Sequence, residues 1–146
     1  MKQWSEIKSE FEVDGSLRDI YVENVDSAVW NIFISAVKQS SYKFDFVHGD
    51  LVRNLPGSLA EIKALQETNP TTLRIWISGS IQINCHFFVE SEIELDLSPS
   101  EIQSAGSYFK LTSFLEWVAS VTSSVVKLTH ENAQEQVILS VCKQAV

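Results

Sequence analysis

From Thr71 to Leu97, apolar residues recur at every second position: Leu73, Ile75 and Ile77, then Ile81, Ile83, Cys85, Phe87 and Val89, and finally Ile93, Leu95 and Leu97. A period of two gathers side chains on one face only if the chain is extended. So long a stretch commits the fold to a sheet with one buried face. Ser78-Gly79-Ser80 interrupts the pattern with residues that suit a hairpin turn. Residues 81–97 keep one parity throughout, which fits either one long bent strand or two strands.

Helix signals surround this region. Asp26 is placed to cap a helix, with Val25 just before it and Trp30 four positions in, the spacing of a hydrophobic staple. Val29, Trp30, Phe33, Ile34 and Val37 then share a face, so residues 26–40 are expected as a core helix. Ser58 and Glu61 form a capping box after Pro56-Gly57 and open a helix on Leu59, Ile62 and Leu65 that ends at Asn69-Pro70. Ser98-Pro99-Ser100-Glu101 is a second box, with proline where its missing N–H costs little. Leu111, Phe114, Leu115, Val118 and Val121 predict a further helix, with Ser113 and Glu116 as its cap. Trp4, Ile7 and Phe11 have loose helical spacing.

The remaining strands read from β-branched and aromatic content. Phe11 and Val13 alternate up to Asp14-Gly15, which suggests a hairpin returning through Leu17–Val22. Tyr42–Val47 alternates up to Gly49-Asp50, and Val125–Thr129 and Gln136–Val141 close the chain. Neighbouring strands interleaved with crossover helices predict an α+β fold: a mixed, mainly antiparallel sheet with helices packed on one face. No linker or repeat divides the chain, so residues 1–146 are expected as a single globular domain.

Composition then limits the function. Nineteen acidic residues against eleven basic ones give a net charge of -8, with no cluster of Lys or Arg able to neutralise a run of phosphates. Nucleic acid is therefore not expected as a partner, and a partner selected by charge is basic. No apolar run approaches the roughly 20 residues that cross a bilayer, so no membrane association is expected. Met1-Lys2-Gln3-Trp4-Ser5-Glu6 turns polar at once, unlike a signal peptide, and Cys85 and Cys142 lie in apolar runs that suit buried free thiols. Both features fit a cytoplasmic protein. There is no G-x-S-x-G elbow, Walker-type loop or G-x-G-x-x-G fingerprint, so no cofactor is expected and the main nucleotide and hydrolase chemistries are disfavoured.

Two groups of residues remain as candidate sites. Glu90, Glu92, Glu94 and Asp96 occupy alternate positions opposite in parity to Ile93, Leu95 and Leu97, so on an extended chain all four carboxylates leave one face. With Glu101, residues 90–101 hold five acids and no base. This row is either a solvated face or a docking surface for a basic partner. Four carboxylates in a straight row diverge, and no metal is expected there. Trp76 shares its face with Arg74 and Ser78, which leaves it either beneath a helix or exposed as an interface anchor. The second group is a possible ligand cleft near Arg18, Asn84 and His86. Cys85 and His86 are adjacent on a strand and leave opposite faces, so they form no nucleophile–base pair with each other. His48, His86 and His130 stand in no metal-ligand spacing.

Three stretches, Gly15–Val22, Asn84–Phe88 and Glu92–Ile102, resemble a group of small, functionally uncharacterised bacterial proteins. In size and charge the whole chain is similar to immunity proteins of bacterial toxin systems. That resemblance implies a non-catalytic protein-binding domain, an immunity-type inhibitor that masks a basic toxin domain, and it implies no catalytic residues. The alternative reading is a small enzyme or ligand-binding domain using Arg18, Asn84 and His86.

Overall fold

The computed structural model describes residues 1–143. Eight strands form one sheet in the order β3-β2-β4-β5-β6-β1-β7-β8. They are β1 (Arg18–Glu23), β2 (Lys43–His48), β3 (Leu51–Arg53), β4 (Thr71–Ser78), β5 (Ile81–Cys85), β6 (Glu92–Leu97), β7 (Val126–His130) and β8 (Ala133–Val141). The helices are α1 (Trp4–Ile7), α2 (Ser27–Gln39), α3 (Leu59–Leu65) and α4 (Ala105–Thr122). The fold is α+β as expected, and every pairing among the described residues is antiparallel, so the mixed component is not found there.

The period of two becomes one continuous buried layer. Leu73 and Ile75 of β4, Ile83 and Cys85 of β5, Ile93 and Leu95 of β6, Ile20 and Val22 of β1, and Val126 and Leu128 of β7 all join a single core. Trp30, Phe33, Ile34 and Val37 of α2 and Leu111, Phe114, Leu115 and Val118 of α4 complete it. Helices thus cover one face. The α2 start is as the sequence implies: the Asp26 carboxylate accepts from Val29 N at 3.0 Å. At α3, Ser58 Oγ accepts from Glu61 N at 3.3 Å, while the Glu61 carboxylate accepts from Gly57 N at 2.9 Å in place of Ser58 N.

One open alternative is resolved and four local expectations are corrected. Residues 81–97 are two strands, β5 and β6, paired antiparallel around a loop. Asp14-Gly15 does turn, with Gly15 at φ +84°, but no strand precedes it. The Glu10 and Glu12 carbonyls that would enter a ladder accept from Arg18 Nε at 2.7 Å and Nη2 at 3.3 Å instead. Helix α4 begins well before Ser113, at the Ser104–Ser107 box; Ala105-Gly106-Ser107 carries no apolar periodicity to reveal the first turn. Cys85 is buried but Cys142 is exposed, because Val141 before it takes the buried parity of β8. Ser98–Glu101 forms only a short 3-10 turn.

Candidate functional site

The other face of the sheet carries the chemistry. β1 lies beside β6, so the polar parity of β1 (Asp19, Tyr21, Glu23) extends the polar parity of β6 (Glu92, Glu94, Asp96). Asp19 stands directly opposite Asp96 and Glu23 directly opposite Glu92. Like charges in directly opposed positions are destabilising. The Tyr21 hydroxyl sits between two of these acids, 2.8 Å from Glu94 Oε1 and 3.2 Å from Asp19 Oδ2. A phenol has one proton to give, so it serves one carboxylate fully at a time.

The turn after β7 closes one side of this cluster. Asn132 N donates to Asp19 Oδ2 at 2.8 Å, and Gln134 reaches across to Glu92 Oε2 at 2.9 Å. Asp19 is only 4% exposed as a result. Burial pushes the Asp19 carboxyl above its ordinary range, against the Asn132 and Tyr21 bonds that favour its charged form. Glu94 is raised for the same first reason. Burial, then the hydrogen bond to Glu94, pushes the Tyr21 phenol well above its ordinary value.

On the β5 side, Asn84 Nδ2 donates to Asp96 Oδ1 at 3.1 Å, and His86 Nε2 lies 3.2 Å from Asp96 Oδ2. The other ring nitrogen of His86 meets Thr72 Oγ1 at 3.3 Å. The hydrogen bond to Asp96 raises the His86 pKa despite partial burial. A hydroxyl, an imidazole and a carboxylate in line form a relay, but acyl transfer also needs N–H donors aimed at a developing oxyanion. Thr72 belongs to β4, an interior strand whose amides serve the ladders to β2 and β5. The Thr72 hydroxyl and the Asp96 carboxylate together fix the orientation of the imidazole.

The expected sites are partly assembled and partly dispersed. Glu92, Glu94 and Asp96 do leave one face, but Glu90 lies in the turn before β6 and stands outside the row. Its carbonyl accepts from Trp30 Nε1 at 3.0 Å. Trp76 is partly exposed on the same open face with no helix above it; Lys43 Nζ lies 5.1 Å from its ring centroid. β5 separates it from the acidic strands. Asn84 and His86 share that face, whereas Arg18 does not: it has the parity of Ile20 and Val22, is 1% exposed, and clamps the N-terminal segment. The expected cleft of Arg18, Asn84 and His86 is therefore not formed. Among the described residues, no group of three or more His, Cys, Asp or Glu is disposed to hold a metal ion.

Sequence reasoning missed Asp19, Tyr21 and Glu23. Their alternation with Ile20 and Val22 marked a polar face, but only the pairing of β1 with β6 shows which acids they join. Compared with known proteins, the chain matches no family model, no curated sequence and no solved structure, so its site is read from its own chemistry.

Proposed function

We propose that the protein is a non-catalytic protein-binding domain whose open sheet face docks a basic partner. One observation supports this most directly: Asp19, Glu23, Glu92, Glu94 and Asp96 converge on one helix-free face, with Lys127 bridged to Glu23 and His86 to Asp96 as the bases in contact with them. A sheet that opposes acid to acid keeps a negative field that these two bases offset only in part, and a basic surface relieves it while gaining steered association. The finer form of the proposal is an immunity-type inhibitor masking a basic toxin domain, for which the same face is the masking surface.

Stopped-flow association with a decapeptide of alternating Lys and Ser tests this. The rate is expected to fall as ionic strength rises, because exposed charges are screened beyond roughly 8–10 Å near physiological salt. Glu92→Gln with Glu94→Gln is expected to lower the rate several-fold at low salt, and Glu12→Gln with Glu67→Gln, which removes the same charge from exposed positions elsewhere, to leave it nearly unchanged. Equal effects of the two double variants would reduce the face to general negative charge and overturn the reading.

A further inference from the structure

The segment between β5 and β6 has no regular structure, yet nearly every carbonyl in it is held. Gln66 Nε2 donates to His86 O at 3.2 Å and Phe87 O at 3.0 Å. Lys63 Nζ donates to Phe87 O at 2.6 Å and Phe88 O at 2.9 Å. Trp30 Nε1 takes Glu90 O, and Val25 N donates to Ser91 O at 3.0 Å. Phe87 adopts φ +60°, a left-handed conformation uncommon for a bulky residue, and persists there because its ring is fully buried against Trp30 and Phe46.

The result of this bracing lies one residue on. With Phe87 turned inward, Phe88 and Val89 are held outward, 59% and 45% exposed. The Phe88 ring stacks on His86 with centroids 5.2 Å apart, and His86 is bonded to Asp96. A continuous line of contacts therefore runs from an exposed aromatic ring to the acidic row. Beside it lies a groove of about 360 Å3 lined in part by Gln66, Pro70, Thr71 and Phe88. An exposed aromatic on a loop already fixed in place loses little freedom on binding, which is how an interface anchor gains affinity.

The geometry points to Phe88, with Val89, as the apolar anchor of the docking face, fitted to a partner segment that sets an aromatic side chain among its basic residues. This rests on the acidic-face reading and adds to it the apolar half of the partner. Charge complementarity selects the occupant: its bases meet Glu92, Glu94 and Asp96 while its ring packs on Phe88.

Two probes separate the claims: the Lys–Ser decapeptide, and the same peptide with one central Ser replaced by Phe. Their dissociation constants are measured against the full chain by titration calorimetry. The Phe peptide is expected to bind about three- to tenfold more tightly, the usual worth of an aromatic pair. In Phe88→Ala the two peptides are expected to bind alike, with the Lys–Ser affinity unchanged, and Phe88→Leu is expected to restore part of the difference. An exposed ring contributes little to folding, and an unchanged melting temperature in Phe88→Ala confirms that the fold is intact. Ring resonances of Phe88 and His86 are expected to shift with the Phe peptide and much less with the other. Equal binding of both peptides to the wild-type chain, or a Phe advantage that survives Phe88→Ala, overturns the anchor. Absence of salt-dependent binding by the Lys–Ser peptide overturns the acidic-face reading instead, and leaves the comparison made by Phe88→Ala readable.

Discussion

The two faces of the sheet are built from the same strands and obey opposite rules. Under the helices, Ile20, Leu73, Ile83, Leu95 and Leu128 meet Trp30, Phe33 and Phe114 in a layer with almost no solvent contact, and its thiol, Cys85, is pushed by burial up to about 12. On the open face, Asp19 opposes Asp96 and Glu23 opposes Glu92. The alternation of a strand lets each face be set independently, so the covered face can supply the stability that the open one forgoes. Parity thus separates the face that carries stability from the face proposed for recognition.

The largest effect belongs to the covered face. Phe33 is fully buried and packs edge-on to Trp30. Phe33→Ala is expected to cost about 3–5 kcal/mol in chemical denaturation, through lost transfer energy and a cavity that closes only in part. Trp76→Ala on the open face is expected to cost about 1 kcal/mol, near the centre of ordinary point substitutions. Similar losses at the two positions would erase the distinction between the faces.

Arg18 is the exception that sharpens it, a charged residue on the covered side. Its guanidinium donates to the Glu10, Glu12 and Leu17 carbonyls and to Ser16 Oγ, and lies 3.7 Å from Asp14 Oδ2. Arg18→Met keeps the stem and strands those acceptors, at an expected cost of about 2–3 kcal/mol. Binding of the Lys–Ser peptide is expected to be unchanged. Weakened peptide binding with stability intact would return Arg18 to the functional face.

Proton linkage follows the open face. Asp19 and Glu94 have raised pKa values, so the folded chain holds protons that the unfolded chain releases, starting from ordinary values of 3.8 and 4.5. His86 is raised above 6.5, so its contribution is fully present below that value and lost as pH rises through its folded pKa. All three shifts have one sign: stability is expected to fall as pH rises from about 4 through neutrality. Urea denaturation across this range checks the slope. Asp19→Asn is expected to flatten its acidic part and Asp96→Asn its neutral part, the latter alongside a lowered His86 pKa by NMR. A slope that rises with pH in the wild-type chain would contradict the arrangement of protons around Tyr21.

The covered face was largely legible in sequence because its information is local. Period two from Leu73 to Leu97, the Asp26 cap and the Ser58 box each need only neighbouring residues. The open face depends on partners far apart in the chain. Glu92, Glu94 and Asp96 showed their common direction, but nothing local placed Asp19 opposite Asp96 or put Tyr21 between two acids. Glu90 and Val89 were misplaced for a related reason: Val89 shares the buried parity of Cys85 and Phe87 yet is exposed. Parity continues numerically through residues 86–91, while the backbone leaves β5 after Cys85 and turns at Phe87 under contacts from α2 and α3. Arg18 carried the sequence marks of a ligand-binding residue because its acceptors are main-chain carbonyls, which have no signature in side-chain identity.

The smallest expected effect tests the division most finely. Replacing Glu92 and Glu94 by Gln removes two charges from the open face but keeps an oxygen for each existing donor: Gln134 Nε2 at Glu92 and the Tyr21 hydroxyl at Glu94. Surface substitutions of this kind ordinarily stay within about 0.5 kcal/mol. Here the sign is informative. Glu92 opposes Glu23, and Glu94 is held above its ordinary pKa by burial near Asp19, so removing both charges at neutral pH relieves repulsion and favours a small gain in stability. Denaturation at low salt, repeated at high salt where screening has already weakened the repulsion, separates electrostatics from packing. A gain that shrinks with salt identifies the repulsion that a basic partner would also relieve. A loss independent of salt would mean that Glu92 and Glu94 hold the sheet together, and that recognition and stability share this face after all.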